Sequence, residues 1–179
     1  FEYVDVLEAV VDYTRLPSAT QRPFVMLELG AGFGFWTLTA HAALRQLLPA
    51  AKYEYVLAEV DTHKLPVLHI ILNHNRVSLR NATIIHAAVG DRDEKEGVLQ
   101  NGNPGFYAVH PCDPQHADFA PRPCETKGYL VPRDQRNHSR SIRNGQGVPA
   151  DVVSLPTLLK NFSRVDLIDM DILGSEWPL

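Results

Sequence analysis

Apolar and polar positions follow two rhythms along this chain. From Glu2 to Tyr13 the apolar residues fall at Tyr3, Val4, Val6, Leu7, Val10 and Val11, the three-to-four spacing of an amphipathic helix. Leu16 to Arg22 is polar and carries a proline, which predicts a loop. Phe24 to Leu29 is apolar except for Glu28 and suits a buried strand. Trp36 to Leu48, rich in alanine and leucine and stopped by Pro49, predicts a helix. Tyr53 to Glu59 reads as a second strand. Asp61 and Thr62 then serve as caps and Pro66 lies in the first turn of a helix reaching about Asn73. A third strand is expected at Thr83 to Val89, a helix at Val152 to Phe162 despite Pro156, and a fourth strand at Val165 to Met170. Strands alternating with helices imply an α/β fold whose parallel sheet has right-handed crossovers.

One stretch breaks the rhythm. Residues from about Gln100 to Pro149 hold seven of the thirteen prolines and no sustained periodicity. A loop that long inside a compact domain is uncommon and tends to be functional. It leaves the carboxyl end of the third strand, so the expectation is an irregular insertion, 100–149, that can fold over a pocket as a lid. The 179 residues suffice for a single domain, 1–179. A hydrophobic share of 45% is that of an ordinary globular core, and a net charge of −4 offers no basic surface, so nucleic acid is not an expected partner. No apolar run approaches the roughly 18 residues of a membrane span, and no signal-peptide pattern opens the chain. A soluble, cytoplasmic protein is expected, with Cys112 and Cys124 as reduced thiols. The chain begins at Phe1 and stops just after its fourth strand and a turn, so a longer natural protein is expected.

The chemistry concentrates where the first strand runs into Gly30-Ala31-Gly32-Phe33-Gly34. Glycines let the chain turn sharply and let a ligand lie against bare backbone, and open parallel sheets bind ligands at this end of their strands. The dinucleotide fingerprint is GxGxxG; here the third glycine comes one residue early, and an acidic residue, Glu28, precedes the first by two. That pattern resembles the S-adenosylmethionine loop of Rossmann-like methyltransferases and disfavours a nicotinamide oxidoreductase. Glu59 ends the second strand, where a carboxylate can accept both ribose hydroxyl hydrogens. Glu28 lies inside an apolar strand and needs a buried partner, either a cofactor amino group or a loop N–H.

A third signal is Val165-Asp166-Leu167-Ile168-Asp169-Met170-Asp171-Ile172-Leu173-Gly174-Ser175-Glu176. The strand ends at Asp171, a glycine permits the turn, and Glu176 can point back over the same mouth. Methyl transfer from a sulfonium is an in-line displacement in which alignment supplies much of the rate, and a carboxylate can take the proton of a hydroxyl nucleophile. Asp171 is the first catalytic candidate and Glu176 the second; a cap, or a hold on the methionine amino group, suits Asp171 equally. His110, Cys112 and His116 lack the fourth ligand and spacing of a zinc site, and Asp169 with Asp171 is a weak magnesium pair, so no metal is expected.

Taken in order, FEYVDVLEAV, LELGAGFGFW, AEVD, HAAVGD and VDLIDMDILGSE resemble the FkbM-type S-adenosylmethionine-dependent methyltransferases over nearly the whole chain. The resemblance implies a Rossmann-like parallel sheet with flanking helices, truncated after the fourth strand, with the long irregular loop between strands three and four. It implies that the cofactor S-adenosyl-L-methionine contacts Glu28, Gly30, Ala31, Gly32, Gly34 and Glu59, with the adenine near Ala87 and Ala88. Many members read KxDxxGxE in the last motif, where this chain has Asp169 in place of the lysine and Leu173 where glutamine or glutamate is frequent. The implied reaction is O-methylation of a hydroxyl on a sugar or other small-molecule acceptor. A cofactor-binding domain without turnover is the alternative. Neither the acceptor nor the oligomeric state follows from the sequence.

Overall fold

The computed structural model describes residues 2–90, 92–103, 106–109 and 148–172, of which 94–103, 106–109 and 148–149 are described by backbone alone. The chain divides into two compact units, Phe1–Ala87 with Leu158–Asp171, and Ala88–Thr157 with Ile172–Leu179.

The first unit opens with helix α1 (Glu2–Thr14) and then alternates β1 (Phe24–Leu29), α2 (Phe35–Leu47), β2 (Tyr53–Glu59), α3 (Lys64–His74) and β3 (Ala82–His86), and β8 (Leu167–Met170) returns to it later in the chain. Its four strands lie in the order β3-β2-β1-β8, all parallel. The Rossmann-like α/β fold expected from the sequence is therefore the fold observed. β1 is buried at all six positions because both of its neighbours in the sheet are paired and its faces are covered, and so it reads as a continuous apolar run.

Parallel register partners point to the same face of a sheet. Phe24 and Met26 of β1 align with Tyr53 and Tyr55 of β2, and Met26 aligns with Leu167 of β8. These side chains form one core with Val6, Val10 and Tyr13 of α1, Ala40 and Leu44 of α2, and Leu68 and Leu72 of α3. Of the amphipathic stripe expected of the first helix, Val6 and Val10 are buried in this core together with Tyr13, whereas Tyr3 and Val4 are exposed. Arg22, in the loop before β1, makes a two-pronged ion pair with Asp166, just before β8, with both N–O distances at 2.7 Å.

The second unit holds β4 (Ala88–Gly90), β5 (Glu94–Asn103), β6 (Phe106–Val109) and β7 (Val148–Ser154), in the order β4-β7-β5-β6. β4 and β7 are parallel, whereas β5 runs antiparallel to both β6 and β7.

Three expectations need correction here. The third strand does not run from Thr83 to Val89 as one piece: it ends at His86, and residues 88–90 pair with β7 in the other sheet. The 100–149 segment is not irregular throughout, because 94–103 and 106–109 form an antiparallel pair and a strand starts at Val148. The remainder of the lid expectation, 110–147, lies outside the described residues, as do Cys112, Cys124, His110 and His116. The helix expected over Val152 to Phe162 is a strand as far as Ser154 followed by the short helix α4 (Leu155–Leu159). Val152 and Val153 are β-branched and pair with Ala88 and Val89, and Pro156 is admissible only in a helix's first turn. Ser154 Oγ accepts the Thr157 N–H at 3.3 Å, while Asp93 takes both the Ser154 N–H and the Thr157 hydroxyl, and these bonds fix the start of the turn.

Candidate functional site

In the first sheet the chain steps from β1 to β2 to β3 in one direction and then crosses to the opposite side of β1 with β8. The crevice beyond the carboxyl ends of β1 and β8 is therefore the switch point where open α/β sheets take their ligands. The glycine turn leaves β1 at this point. Gly30, Gly32 and Gly34 all have positive φ, at 83°, 55° and 75°. The N–H groups of Gly30 and Ala31 both donate to the Ala58 carbonyl at 2.9 Å, which ties the turn to β2.

Gly32 and Gly34 use their missing side chains differently. A Cβ on Gly34 would meet Leu68 Cδ1 at 2.8 Å, whereas a Cβ on Gly32 would meet nothing nearer than the Gly30 carbonyl oxygen at 4.0 Å. Gly34 is therefore glycine for packing, and Gly32 leaves open space against bare backbone.

Glu28 is 2% exposed. Its Oε1 accepts the Trp36 N–H at 3.1 Å and its Oε2 accepts the Thr37 N–H at 2.9 Å. Gly34, the residue before α2, has no side chain to offer the helix, so Glu28 supplies the missing cap from the neighbouring strand. Of the two partners considered for this carboxylate, the structure shows the backbone N–H. Burial pushes its carboxyl up to about 7, against the hydrogen bonds from Thr37 and Trp36, with the charge of Asp169 adding to the rise.

This raised value sets a pH dependence. The folded chain holds a proton on Glu28 that the unfolded chain has already lost between pH 4.5 and 7, so stability falls as pH rises through that window. A rise from 4.5 to about 7 corresponds to roughly 3 kcal/mol. Chemical denaturation from pH 5 to 8 should show declining stability, and Glu28→Gln should flatten most of that decline. An unchanged slope in the variant would assign the effect elsewhere.

Glu59 is 4% exposed, with Oε2 accepting the Gly32 N–H at 2.6 Å and Oε1 accepting the Asp61 N–H at 2.7 Å. Each oxygen keeps a second lone pair for a hydroxyl donor. Beside it, His86 is the register partner of Glu59 on β3 and donates from Nε2 to the Val60 carbonyl at 3.2 Å. The sequence offered no signal for His86 beyond its place at a strand end.

Across β1, Glu28 is the register partner of Asp169. Burial, with the charges of Glu2 and Asp171, pushes the Asp169 carboxyl up to about 6. Asp171 continues the ladder, donating its N–H to the Leu29 carbonyl at 2.9 Å, and its side chain is exposed. Glu28, the glycine turn, Glu59, Ala87, Asp169 and Asp171 thus all belong to the first unit, and Ala87 is buried just past β3. Ala88 belongs to the second unit, where it opens β4. Glu176 lies outside the described residues. Among the described residues no helix is long and apolar enough to cross a membrane.

The methyltransferase FkbM domain model matches residues 28–179. No curated protein matches the chain. Among solved structures, the chain is similar to an S-adenosylmethionine-dependent methyltransferase from Agrobacterium tumefaciens at 16% identity and a TM-score of 0.35, covering 48% of this chain and 23% of that one. A precorrin-6y C5,15-methyltransferase from Geobacter metallireducens is 23% identical with a TM-score of 0.31, over 46% of this chain and 38% of that one. A methyltransferase FkbM from Methylobacillus flagellatus is 17% identical with a TM-score of 0.31, over 52% and 30%. The chain covers well under half the length of each of these structures.

Proposed function

This chain belongs to the methyltransferase FkbM domain family, and we propose that its glycine turn binds S-adenosyl-L-methionine for transfer of the methyl group to a hydroxyl of a sugar or other small molecule. The observation that carries the reading is the meeting of the open backbone at Gly32 with the buried Glu59 carboxylate at the sheet's switch point. The residues present fit the cofactor. Gly32 leaves room where a Cβ would stand, Glu59 keeps lone pairs for the two ribose hydroxyls, and the acidic groups along β1 and β8 suit a cationic ligand.

When bound, the cofactor supplies an electrophilic methyl group on a positively charged sulfur. The chain's own residues do the rest. Gly30 to Gly34 would hold the ligand against backbone, and Glu59 would hold the ribose. Asp171, exposed at the end of β8, is placed to accept the proton that an acceptor hydroxyl loses as its oxygen attacks. Alignment for in-line attack and exclusion of water are expected to supply most of the acceleration.

Titration calorimetry with S-adenosylhomocysteine and with NAD tests the reading. Saturation by the first and not the second is expected; the reverse, or no binding of the first, would remove it. Glu59→Gln should weaken S-adenosylhomocysteine on the order of 10–100-fold, the worth of hydrogen bonds to a charged group. Its amide nitrogen would also face an N–H donor at Gly32 or Asp61. Asp171→Asn should keep cofactor affinity and lower methyl transfer. Transfer at the wild-type rate would clear Asp171 of a chemical role.

A further inference from the structure

We infer that Glu28 and Asp169 hold one proton between them before the cofactor binds and release it when a cationic cofactor seats on the glycine turn. This rests on the proposed binding of S-adenosylmethionine and adds to it a proton linkage and a preference for the charged substrate over the uncharged thioether product.

The argument is one of placement. Glu28 and Asp169 are register partners on adjacent parallel strands, so both side chains leave the same face of the sheet at the β1/β8 crevice. The charged groups that bear on them are acidic. α1 brings Glu2, whose charge bears on Asp169, and β8 brings Asp171. α2 brings the N–H groups of Trp36 and Thr37. One turn further along, α2 carries His41, bonded at 3.3 Å to the Tyr55 hydroxyl and kept neutral by burial, and then Arg45, stacked over Tyr53. β2 sets Leu57 opposite Glu28 and holds Glu59 on the N–H groups of Gly32 and Asp61. β3 adds His86, turned to the Val60 carbonyl. Among the described residues, none of Glu28, Glu59, Asp169 and Asp171 forms an ion pair; the nearby arginines Arg22 and Arg164 are taken by Asp166 at the other end of β8.

Two carboxylates placed side by side without a cation do not both ionise near neutrality, and one keeps a proton. A second observation marks the same spot. Thr37 Oγ1 is fully buried beside Glu28 without a well-formed hydrogen bond, and the N–H of the same residue is bonded to Glu28. This hydroxyl can accept from a protonated Glu28 carboxyl and donate to the ionised one, so it serves both protonation states of the pair. Burial, with the charge of Asp169 on Glu28 and those of Glu2 and Asp171 on Asp169, holds the two carboxyls at about 7 and about 6, so the proton is present at and just below neutral pH. A ligand bringing a sulfonium and an ammonium to this crevice favours full ionisation, and the proton passes to solvent. The demethylated product lacks the sulfonium, so it displaces less.

The experiment is titration calorimetry of the full chain at pH 6.5 in buffers of differing ionisation enthalpy. S-adenosylmethionine should release on the order of half a proton and S-adenosylhomocysteine clearly less, and the affinity for S-adenosylmethionine should rise roughly tenfold from pH 6 to pH 8. Glu28→Gln should remove most of the release and flatten the pH profile, and Asp169→Asn should remove a smaller part, because burial more than the Asp169 charge holds the proton on Glu28. Infrared spectra of the wild-type chain at pH 6 give a readout that needs no variant: a protonated-carboxyl band should be present and should vanish on adding S-adenosylmethionine. Identical heats in all buffers, full release that persists in Glu28→Gln, or a band that survives ligand would each overturn the inference while leaving cofactor binding in place. Failure of both nucleosides to bind would overturn the proposed function and this inference with it.

Discussion

Gly34→Ala is expected to lower the melting temperature by roughly 10 °C, at about 2–4 °C per kcal/mol for a chain of this size. Two costs add. Gly34 sits in the left-handed region, φ 75° and ψ 32°, which costs a residue with a Cβ about 1–2 kcal/mol. The new methyl would stand 2.8 Å from Leu68 Cδ1, with Leu57 and Leu72 close behind, and overpacking of a filled core costs about 1–3 kcal/mol. Leu68 cannot simply swing away, because it and Leu72 are fully buried in the core between α3 and the sheet. Gly32→Ala provides the contrast. It keeps the φ strain, at 55°, but meets only the Gly30 carbonyl oxygen at 4.0 Å, so its fold should lose about 1 kcal/mol while its methyl occupies the space offered to the ligand. Differential scanning fluorimetry with and without S-adenosylhomocysteine separates the two. Gly34→Ala melting within 2 °C of wild type would refute the packing account, and normal ligand stabilisation of Gly32→Ala would refute the cradle.

The same two glycines show what the sequence could and could not carry. GxGxG after an acidic residue named the turn and the strand that feeds it, because those features are local and each needs a particular residue type. The role of Glu28 was legible only as a need for a partner. That the partner is the start of α2 follows from Gly34 leaving the helix uncapped, a consequence of three-dimensional packing against Leu68. The switch between Ser154 and Leu155 is not legible in the sequence, because Val152 to Phe162 has an apolar spacing compatible with either element. The strand wins through its pairing with Ala88 and Val89, which lie more than sixty residues earlier. The strand pair 94–103 and 106–109 is hidden for a related reason: its cohesion comes from cross-strand bonds, and the longer strand is polar, bears glycines and carries no periodic signal. Asp169 was noted as a departure from a family lysine. Only the register with Glu28 gives that departure a physical consequence.

Arg22→Ala should destabilise the chain by about 3 kcal/mol, the lower end of the cost of breaking a buried ion pair, since the Arg22 side chain remains 23% exposed. Asp166 is 4% exposed and accepts both guanidinium nitrogens at 2.7 Å, together with the Val25 N–H at 3.0 Å. The guanidinium also lies 5.0 Å over the Tyr13 ring, whose hydroxyl donates to the Ala19 and Arg22 carbonyls. One arginine therefore joins α1, the loop before β1 and the start of β8. Lysine cannot replace the planar fork, so Arg22→Lys should recover only part of the loss. The effect has a pH signature. Burial pushes the Asp166 carboxyl up, but the Arg22 hydrogen bonds, with the Val25 N–H and the charges of Arg22 and Arg164, outweigh it and hold the group below its ordinary 3.8. A lowered carboxyl contributes stability that is complete above 3.8 and disappears as pH falls through the folded value. Glu28 and Asp169 act with the opposite sign, losing stability as pH rises toward 7 and 6. Wild-type stability should therefore peak near pH 4–5, between the two limbs. In Arg22→Ala the acid limb should flatten and the neutral limb should remain, with cofactor affinity kept because the pair sits at the end of the sheet opposite the glycine turn. An Arg22→Ala chain that retains a steep acid limb would show that other carboxylates set the acid stability of this fold.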